Sequence, residues 1–471
     1  MAKHVYTPPH PRPLGELAAL VRTAREGEGN LLGLLPREVY SAAQMNIGYS
    51  RRQIHIVNDP QLVRELMTSR ADAFPKSDLM VGALAPLVGN SLFVSHGDIW
   101  RRQRRMIDPS FSHMHVSRAF SAMQGAVDDY EALLGQRAAG GESFSLDMAM
   151  SHLTADIITR TIFSKSLESD MARDVFQSFM RFERSAAHVE LRRLIFGRAW
   201  APVQNPPHVL EACERIRTHL GTLLDDHMRG DKADIARSVI EAADPKDGSH
   251  FTREELIDEL GVFFLAGHET TASVLTWVIY ILAQNPDVVD RLRAEIEAHI
   301  GDGPITFDGV KKLSFIRNVF KETLRLYPPI TFIPRVASER SKIGSAWVKK
   351  GAMIMIAPWV MHRHQDYWRE PHSFDPDRFS PDREHELTPH AYLPFGQGQR
   401  ICVGAGFATM ESALILAQLV RRFDFEVMNP DQVKPVARLT TRPKEQIMIR
   451  VRDCARTAPR ETKQASLSPV S

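Results

Sequence analysis

One segment constrains the fold more than any other. Thr252-Arg253-Glu254-Glu255 has the form of a capping box, with Thr at the N-cap and Glu three residues later. A helical pattern runs on to Ala283-Gln284, where Asn285-Pro286 stops it. That predicts a helix of roughly 30 residues, about 45 Å long at 1.5 Å per residue. From Gly261 to Ile281 it is apolar nearly all round. A helix without a polar face has to be enclosed, so it is expected to run through the middle of one large domain. The chain has 471 residues, which by length alone would allow about three domains. The helix argues instead for a single domain over 1–454, followed by a disordered polar tail over 455–471.

The flanking segments indicate the class. Gln53 to Val57 reads as a strand, stopped by Asn58-Asp59-Pro60 and followed by a helix through Leu66. Asp98 to Ile107 is helical and strongly basic, and most of Val116 to Leu292 is helical in pattern. Breaks fall at Gly140-Gly141, Pro206-Pro207 and Asp244 to Gly248. Beyond Pro328-Pro329, Ile343, Val348 and Ala352 to Ala357 suggest short strands, and helix returns from Gly404 to Arg422. The predicted fold class is mainly α with a minor β portion.

Several functions are excluded early. Three cysteines, Cys213, Cys402 and Cys454, are too few and too far apart for a CxxC zinc site, a CxxCH haem attachment or a disulfide scaffold. A formal charge of +2 excludes a basic nucleic-acid coat. No apolar run reaches the ~18 residues of a membrane span, and Met1 to Leu14 is rich in Pro and His, unlike a signal peptide. The expectation is a soluble cytoplasmic protein.

Three motifs carry chemistry. Glu322 and Arg325 lie three apart on one helix face, but Glu190/Arg193 and Glu214/Arg217 share that spacing, so it says little alone. Ala266-Gly267-His268-Glu269-Thr270-Thr271 puts polar groups inside the apolar helix, where they are costly unless satisfied. His268-Glu269 is not a zinc-protease motif, since Ala272 stands where the second His would be. Thr270 can bond back to a carbonyl and bend the helix, opening a polar pocket; the alternative is a glycine used for close packing. The sharpest feature is Phe395-Gly396-Gln397-Gly398-Gln399-Arg400-Ile401-Cys402-Val403-Gly404. Gly396 and Gly398 permit a tight loop, and Cys402 stands at a helix N-terminus, where the dipole favours a thiolate suited to iron. The alternative is a merely buried or reactive Cys, as assumed for Cys213 and Cys454. A dinucleotide fingerprint is rejected because Thr409 replaces the last small residue.

Taken in order, these motifs resemble the cytochrome P450 family of haem-thiolate monooxygenases. Trp100-Arg101-Arg102-Gln103-Arg104 resembles its WxxxR helix, Ala266 to Thr271 its AGxE/DTT segment, and Glu322 with Arg325 its ExxR helix. Phe374 to Phe379 is similar to FxPxRF, and Phe395 to Gly404 to FGxGxRxCxG. Gln399 departs from the usual Pro or His and is expected to affect loop rigidity or redox tuning. The resemblance implies the P450 fold, a large helical region around haem with a small β-rich region. It implies a b-type haem (iron protoporphyrin IX) with Cys402 as axial thiolate and metal ligand. Trp100, Arg104, Arg335 and Arg400 then lie where the haem propionates are held, and Phe395 where an aromatic packs beside the sulfur. Glu322, Arg325 and Arg378 would form a buried structural network. Glu269 and Thr270 correspond to the acid–alcohol pair that delivers protons to oxygen, with Thr271 structural and His268 packing.

The implied activity is insertion of one atom of O2 into a lipophilic organic substrate, by a monomer without a membrane span. Electrons would come from a separate ferredoxin or flavodoxin with its reductase, because the stretch after Cys402 is too short for a fused reductase. Arg101, Arg102 and Arg105 beside Arg104 suggest a docking face, against the alternative of a solvated one. Leu79 to Phe93, Phe263-Phe264, Ile330 to Ile333 and Leu439-Thr440 are expected to line an apolar pocket. Arg181, Arg184, Arg192 and Arg193 read as solvated surface rather than a carboxylate anchor. A peroxide-dependent peroxygenase and a non-enzymatic haem-thiolate sensor are the competing readings, and Glu269-Thr270 argues against both.

Overall fold

The computed structural model describes residues 6–26, 30–48, 50–168, 170–186, 196–230, 232 and 234–454. The tail over 455–471 lies outside them. The central helix spans Arg253–Ala283, 31 residues, of which 24 are buried. Its capping box forms as expected: Glu255 N–H donates to Thr252 Oγ1 (3.2 Å), and Thr252 N–H donates to Glu255 Oε2 (2.8 Å). Pro286 opens the next helix, Pro286–His299, because proline fits the first turn but not the interior of its predecessor.

The expectation that no segment reaches membrane-span length needs correction. Among the described residues Arg253–Ala283 is long and apolar enough by length and composition, yet 83% of its most apolar window is buried inside the fold. Most of its apolar side chains face protein. The helix Leu146–Phe163 packs along it, and Ile158 fills the notch that Gly267 leaves. A Cβ at Gly267 would come within 2.3 Å of Ile158 Cδ1. The packing role for this glycine is therefore realised. The helix is also unbroken, so the expected distortion at Thr270 does not open it.

Helices dominate. Others include Gly97–Ile107, His113–Gly140, Asp170–Ala186, Pro207–Arg229, Ser314–Leu326 and Ala405–Arg422. Eleven short strands are described. They are β1 (Gln44–Ile47), β2 (Ile54–Val57), β3 (Ser143–Ser145), β4 (Ile333–Val336), β5 (Ser341–Ile343), β6 (Ala346–Val348) and β7 (Met353–Ile356). The remaining four are β8 (Phe423–Val427), β9 (Pro435–Ala437), β10 (Thr441–Pro443) and β11 (Met448–Asp453). The main sheet has the order β1-β2-β7-β4, with β2 and β7 parallel and the other pairs antiparallel. A three-stranded sheet, β3-β11-β8, and the pairs β5-β6 and β9-β10 complete the minor β portion.

One apolar cluster runs from Leu32 to Val451, with the central helix through it. Trp277 stacks on Tyr327 at 4.0 Å between ring centres, tying this helix to the end of Ser314–Leu326. A smaller cluster lies under the main sheet, from Val57 to Leu393.

Candidate active site

Phe395 to Gly404 forms a loop in which backbone needs dictate the residues. Gly396 and Gly398 both adopt positive φ, 70° and 72°. At Gly398 a Cβ would lie 2.1 Å from the Met67 carbonyl oxygen, so only glycine fits. Cys402 N–H donates to Phe395 O (2.9 Å), closing the loop just before the helix Ala405–Arg422. The Cys402 sulfur opens into a cavity of about 840 Å³. Burial raises the Cys402 pKa, and the Gly404 N–H and Arg104 only partly oppose this. Gln399 is exposed. Of the other cysteines, Cys213 is buried with its pKa pushed up to about 12, and Cys454 accepts a bond from Arg293.

The same cavity is lined by Trp100, Arg104, Arg335, Phe395, Arg400 and Thr270. Six residues spread over 301 positions of sequence thus converge with Cys402 on one space. Arg400 stacks over the Trp100 ring at 4.5 Å and donates to Ser95 O (2.6 Å). Its Nη1 is buried without a partner. Burial brings the Arg335 and Arg400 pKa values down to about 10. Arg104 is held differently: Nε pairs with Asp108 (2.6 Å) and Nη1 donates to Ile401 O (2.7 Å).

Thr270 Oγ donates to Ala266 O (2.6 Å), the back-bond its place in the helix predicts. Glu269 is not a lining residue. Its carboxylate accepts from Thr440 Oγ1 (2.5 Å) and from Arg442 Nε (2.9 Å), and Arg442 Nη2 completes a two-point pair. Burial raises its pKa, but the Arg442 guanidinium outweighs burial and leaves it lowered. The acid therefore does not sit beside Thr270 in the cavity as expected; β10 holds it on another side of the helix. No sequence motif carried Arg442. His268 is buried against Phe179 and Phe264 and bonds through Nδ1 to Phe264 O (2.7 Å), as a packing residue. Thr271 is buried.

The apolar lining includes Leu79, Leu84, Leu92, Phe93, Phe263, Ile330, Ile333 and Leu439, as the sequence suggests. Phe264 and Thr440 are corrections: Phe264 turns to Phe179 (4.5 Å between ring centres), and Thr440 turns to Glu269. Asn205, His208, Met353 and Lys76 also line the space and carried no motif. Arg181 is exposed, and Arg192, Arg193 and the side chain of Arg184 lie outside the described residues.

Arg325 donates from Nε and Nη2 to Glu322 (both 2.7 Å) and on to the carbonyls of His362, Pro371 and Ser373. Arg378 Nε reaches Glu322 at 3.3 Å. All three side chains are buried, as a structural network requires. The proposed docking arginines are engaged within the chain: Arg101 with Asp72 and Asp98, Arg102 with Glu255, Arg105 with Asp244. Arg102 and Arg105 fasten the helix Gly97–Ile107 to the segment before the central helix.

A cysteine loop under a largely apolar cavity, lined on another side by the central helix with its Thr270 hydroxyl, is the arrangement of the haem-thiolate class. Residues 37–451 match the family Cytochrome P450, and the chain belongs to that family. It is 30% identical over 390 residues to cyclooctat-9-en-7-ol 5-monooxygenase of Streptomyces melanosporofaciens, covering 81% of each chain. It is 29% identical over 391 residues to protein LUTEIN DEFICIENT 5, chloroplastic, of Arabidopsis thaliana, spanning 79% of this chain and 65% of that protein's length. Its fold matches a variant of the cytochrome P450DA heme domain with a TM-score of 0.81 at 25% identity, covering 95% of this chain and 97% of that one.

The family implies a haem-thiolate cofactor, and the residues here fit one. The cavity offers a sulfur ligand, apolar walls and two cations, the buried Arg335 and the half-buried Arg400, with no carboxylate partner among the described residues. Two carboxylates on an apolar macrocycle are the complement of that set.

Proposed function

We propose that this P450 inserts one atom of O2 into a lipophilic substrate, with b-type haem held through Cys402. The convergence of Cys402, the unpaired cations and Thr270 on one apolar cavity carries this reading. A bound haem supplies oxygen activation, which thiolate donation favours. The residues around it set position and protons. Trp100, Arg104, Arg335 and Arg400 orient the cofactor's carboxylates, and Phe395 packs beside the sulfur. The Thr270 hydroxyl has its proton on Ala266 O, so its lone pairs are left to order water in the cavity. Glu269 is the relay, and it has to leave Arg442 to pass a proton to the Thr270 side. The apolar lining supports a hydrocarbon-rich substrate, and the relative named for cyclooctat-9-en-7-ol is in keeping with that. Separate ferredoxin- or flavodoxin-type proteins supply the electrons.

The reduced carbon-monoxide spectrum tests the thiolate assignment. Wild type is expected to give the thiolate-type Soret band and Cys402→Ala to lose it; a wild type without that band refutes the reading. Thr270→Ala is expected to keep consuming NADPH with a surrogate donor while product falls about 10²-fold, the low end for losing a proton-delivering group. Product formed only with added peroxide favours the peroxygenase alternative instead. Reduction by neither ferredoxin nor flavodoxin rejects the donor class.

A further inference from the structure

Two adjacent acids near the start of the central helix grip a wall of the cavity, and no motif carried either. Asp258 Oδ2 accepts from Asn90 N–H (2.9 Å), and Glu259 Oε1 accepts from Leu92 N–H (2.9 Å). The gripped segment, 89–96, joins the helices Asp78–Val88 and Gly97–Ile107. Its Leu92 and Phe93 line the cavity. The approach is close: Gly89 has φ 50°, and a Cβ there would run into the Asp258 carboxylate.

The two acids differ in their partners. Asp258 pairs with Arg217 (2.6 Å) of the helix Pro207–Arg229. Glu259 has no cation among the described residues. The charged groups that act on it, Asp258 and Glu255, are both acids. The nearby arginines are engaged elsewhere: Arg102 with Glu255, Arg105 with Asp244, and Arg217 with Asp258 and Glu254. Glu259 is buried, and its Oε2 has no partner among the described residues. A carboxylate there lacks both water and a counter-charge, whereas the neutral acid keeps the Leu92 bond at far lower cost. Burial pushes its pKa up to about 8, Asp258 and Glu255 add to this, and the Leu92 N–H opposes it. A wall that opens to water returns the carboxyl towards its ordinary 4.5, so protons favour the packed form. That preference is complete below pH 4.5 and is lost as pH rises to about 8.

We propose that Glu259 is a positioning residue for substrate: its proton keeps the Leu92–Phe93 wall packed on the central helix, and loss of that proton loosens the wall and weakens the hold on an apolar substrate. The proposal rests on the reading that such a substrate occupies this cavity. Glu259 acts through Leu92 and Phe93, since it does not itself line the space.

Two measurements on the holoenzyme test it. The first is hydrogen exchange over residues 89–96 without ligand, read by mass spectrometry. Glu259→Gln keeps an oxygen acceptor and cannot ionise. The ratio of wild-type to Glu259→Gln exchange rates is expected to grow at least about tenfold from pH 6 to pH 8. The second is spin-state binding of dodecanol, a probe without charge at either pH. Wild-type affinity is expected to fall about threefold or more over the same range, while that of Glu259→Gln stays level. Glu259→Leu, which removes the acceptor, is expected to bind weakly at both. An exchange ratio that stays constant with pH overturns the proposal. So does wild-type exchange and affinity in Glu259→Leu at pH 6, because the Leu92 bond then holds nothing. A growing exchange ratio with level wild-type affinity also overturns it, by removing the link to substrate. No dodecanol shift in any variant marks instead a failure of the apolar-substrate reading, and the exchange ratio still decides whether Glu259 holds the wall.

Discussion

Glu259 shows how a single side chain can set a property no motif announces. It is fully buried, Oε1 accepts from Leu92 N–H (2.9 Å), and Oε2 has no partner. Burial pushes its pKa up to about 8 from an ordinary 4.5. A carboxyl raised on folding favours the folded state fully below pH 4.5, and that contribution is lost as pH rises towards 8. Wild-type stability should therefore fall between those values relative to Glu259→Gln, by at most about 1.4 kcal/mol per pH unit. Urea unfolding of both proteins at pH 5 and pH 8 measures this; parallel pH profiles would mean that Glu259 is not held neutral. Glu411 is a second such group, fully buried and raised by burial. Cys402 was legible because a glycine-rich loop surrounds it, whereas Glu259, Lys76 and Arg442 have no local pattern. What distinguishes them is the burial and the neighbours that distant segments supply.

The central helix was legible as an element: cap, length, apolar surface and proline stop are all local. Its partners were not. Gly267 has two opposing effects, costing roughly 1 kcal/mol of helix propensity against Ala while admitting Ile158. Gly267→Ala should destabilise the protein, since overpacking of about 1–3 kcal/mol exceeds the propensity gain. In an Ile158→Ala background the same change should become neutral or stabilising. A double-mutant cycle by denaturant unfolding reads the coupling, and additive effects would refute the contact. The basic helix Gly97–Ile107 shows how little a charge pattern says of its partners. Arg102 and Arg105 find Glu255 and Asp244 within the chain. A run of arginines has one appearance in sequence whether its acids lie in solvent, in a partner or in a neighbouring loop.

Across the whole molecule, Glu322 is the point where separate segments are joined. Besides the two arginines it accepts from Asp375 N–H (2.9 Å), so one carboxylate ties the helix Ser314–Leu326 to the segment ahead of the cysteine loop. Glu322→Gln leaves two buried guanidinium groups without their counter-charge, an expected cost of about 3–5 kcal/mol. Against the roughly 5–15 kcal/mol that holds a typical domain, that should sharply reduce the yield of haem-containing protein and the urea midpoint. An unchanged midpoint would show that the network does not hold the fold. ExxR alone was uninformative, and its ordered company with the other motifs gave it meaning. By itself the sequence determined the helical class, the central helix, the cysteine loop and part of the cavity lining, because caps, periodicity and glycine chemistry act over a few neighbouring residues. Only the tertiary structure decided which charges are paired, that Glu269 turns to Arg442 and that Glu259 meets Leu92. Burial and Coulomb interactions depend on distance in space, and residues hundreds of positions apart supply both.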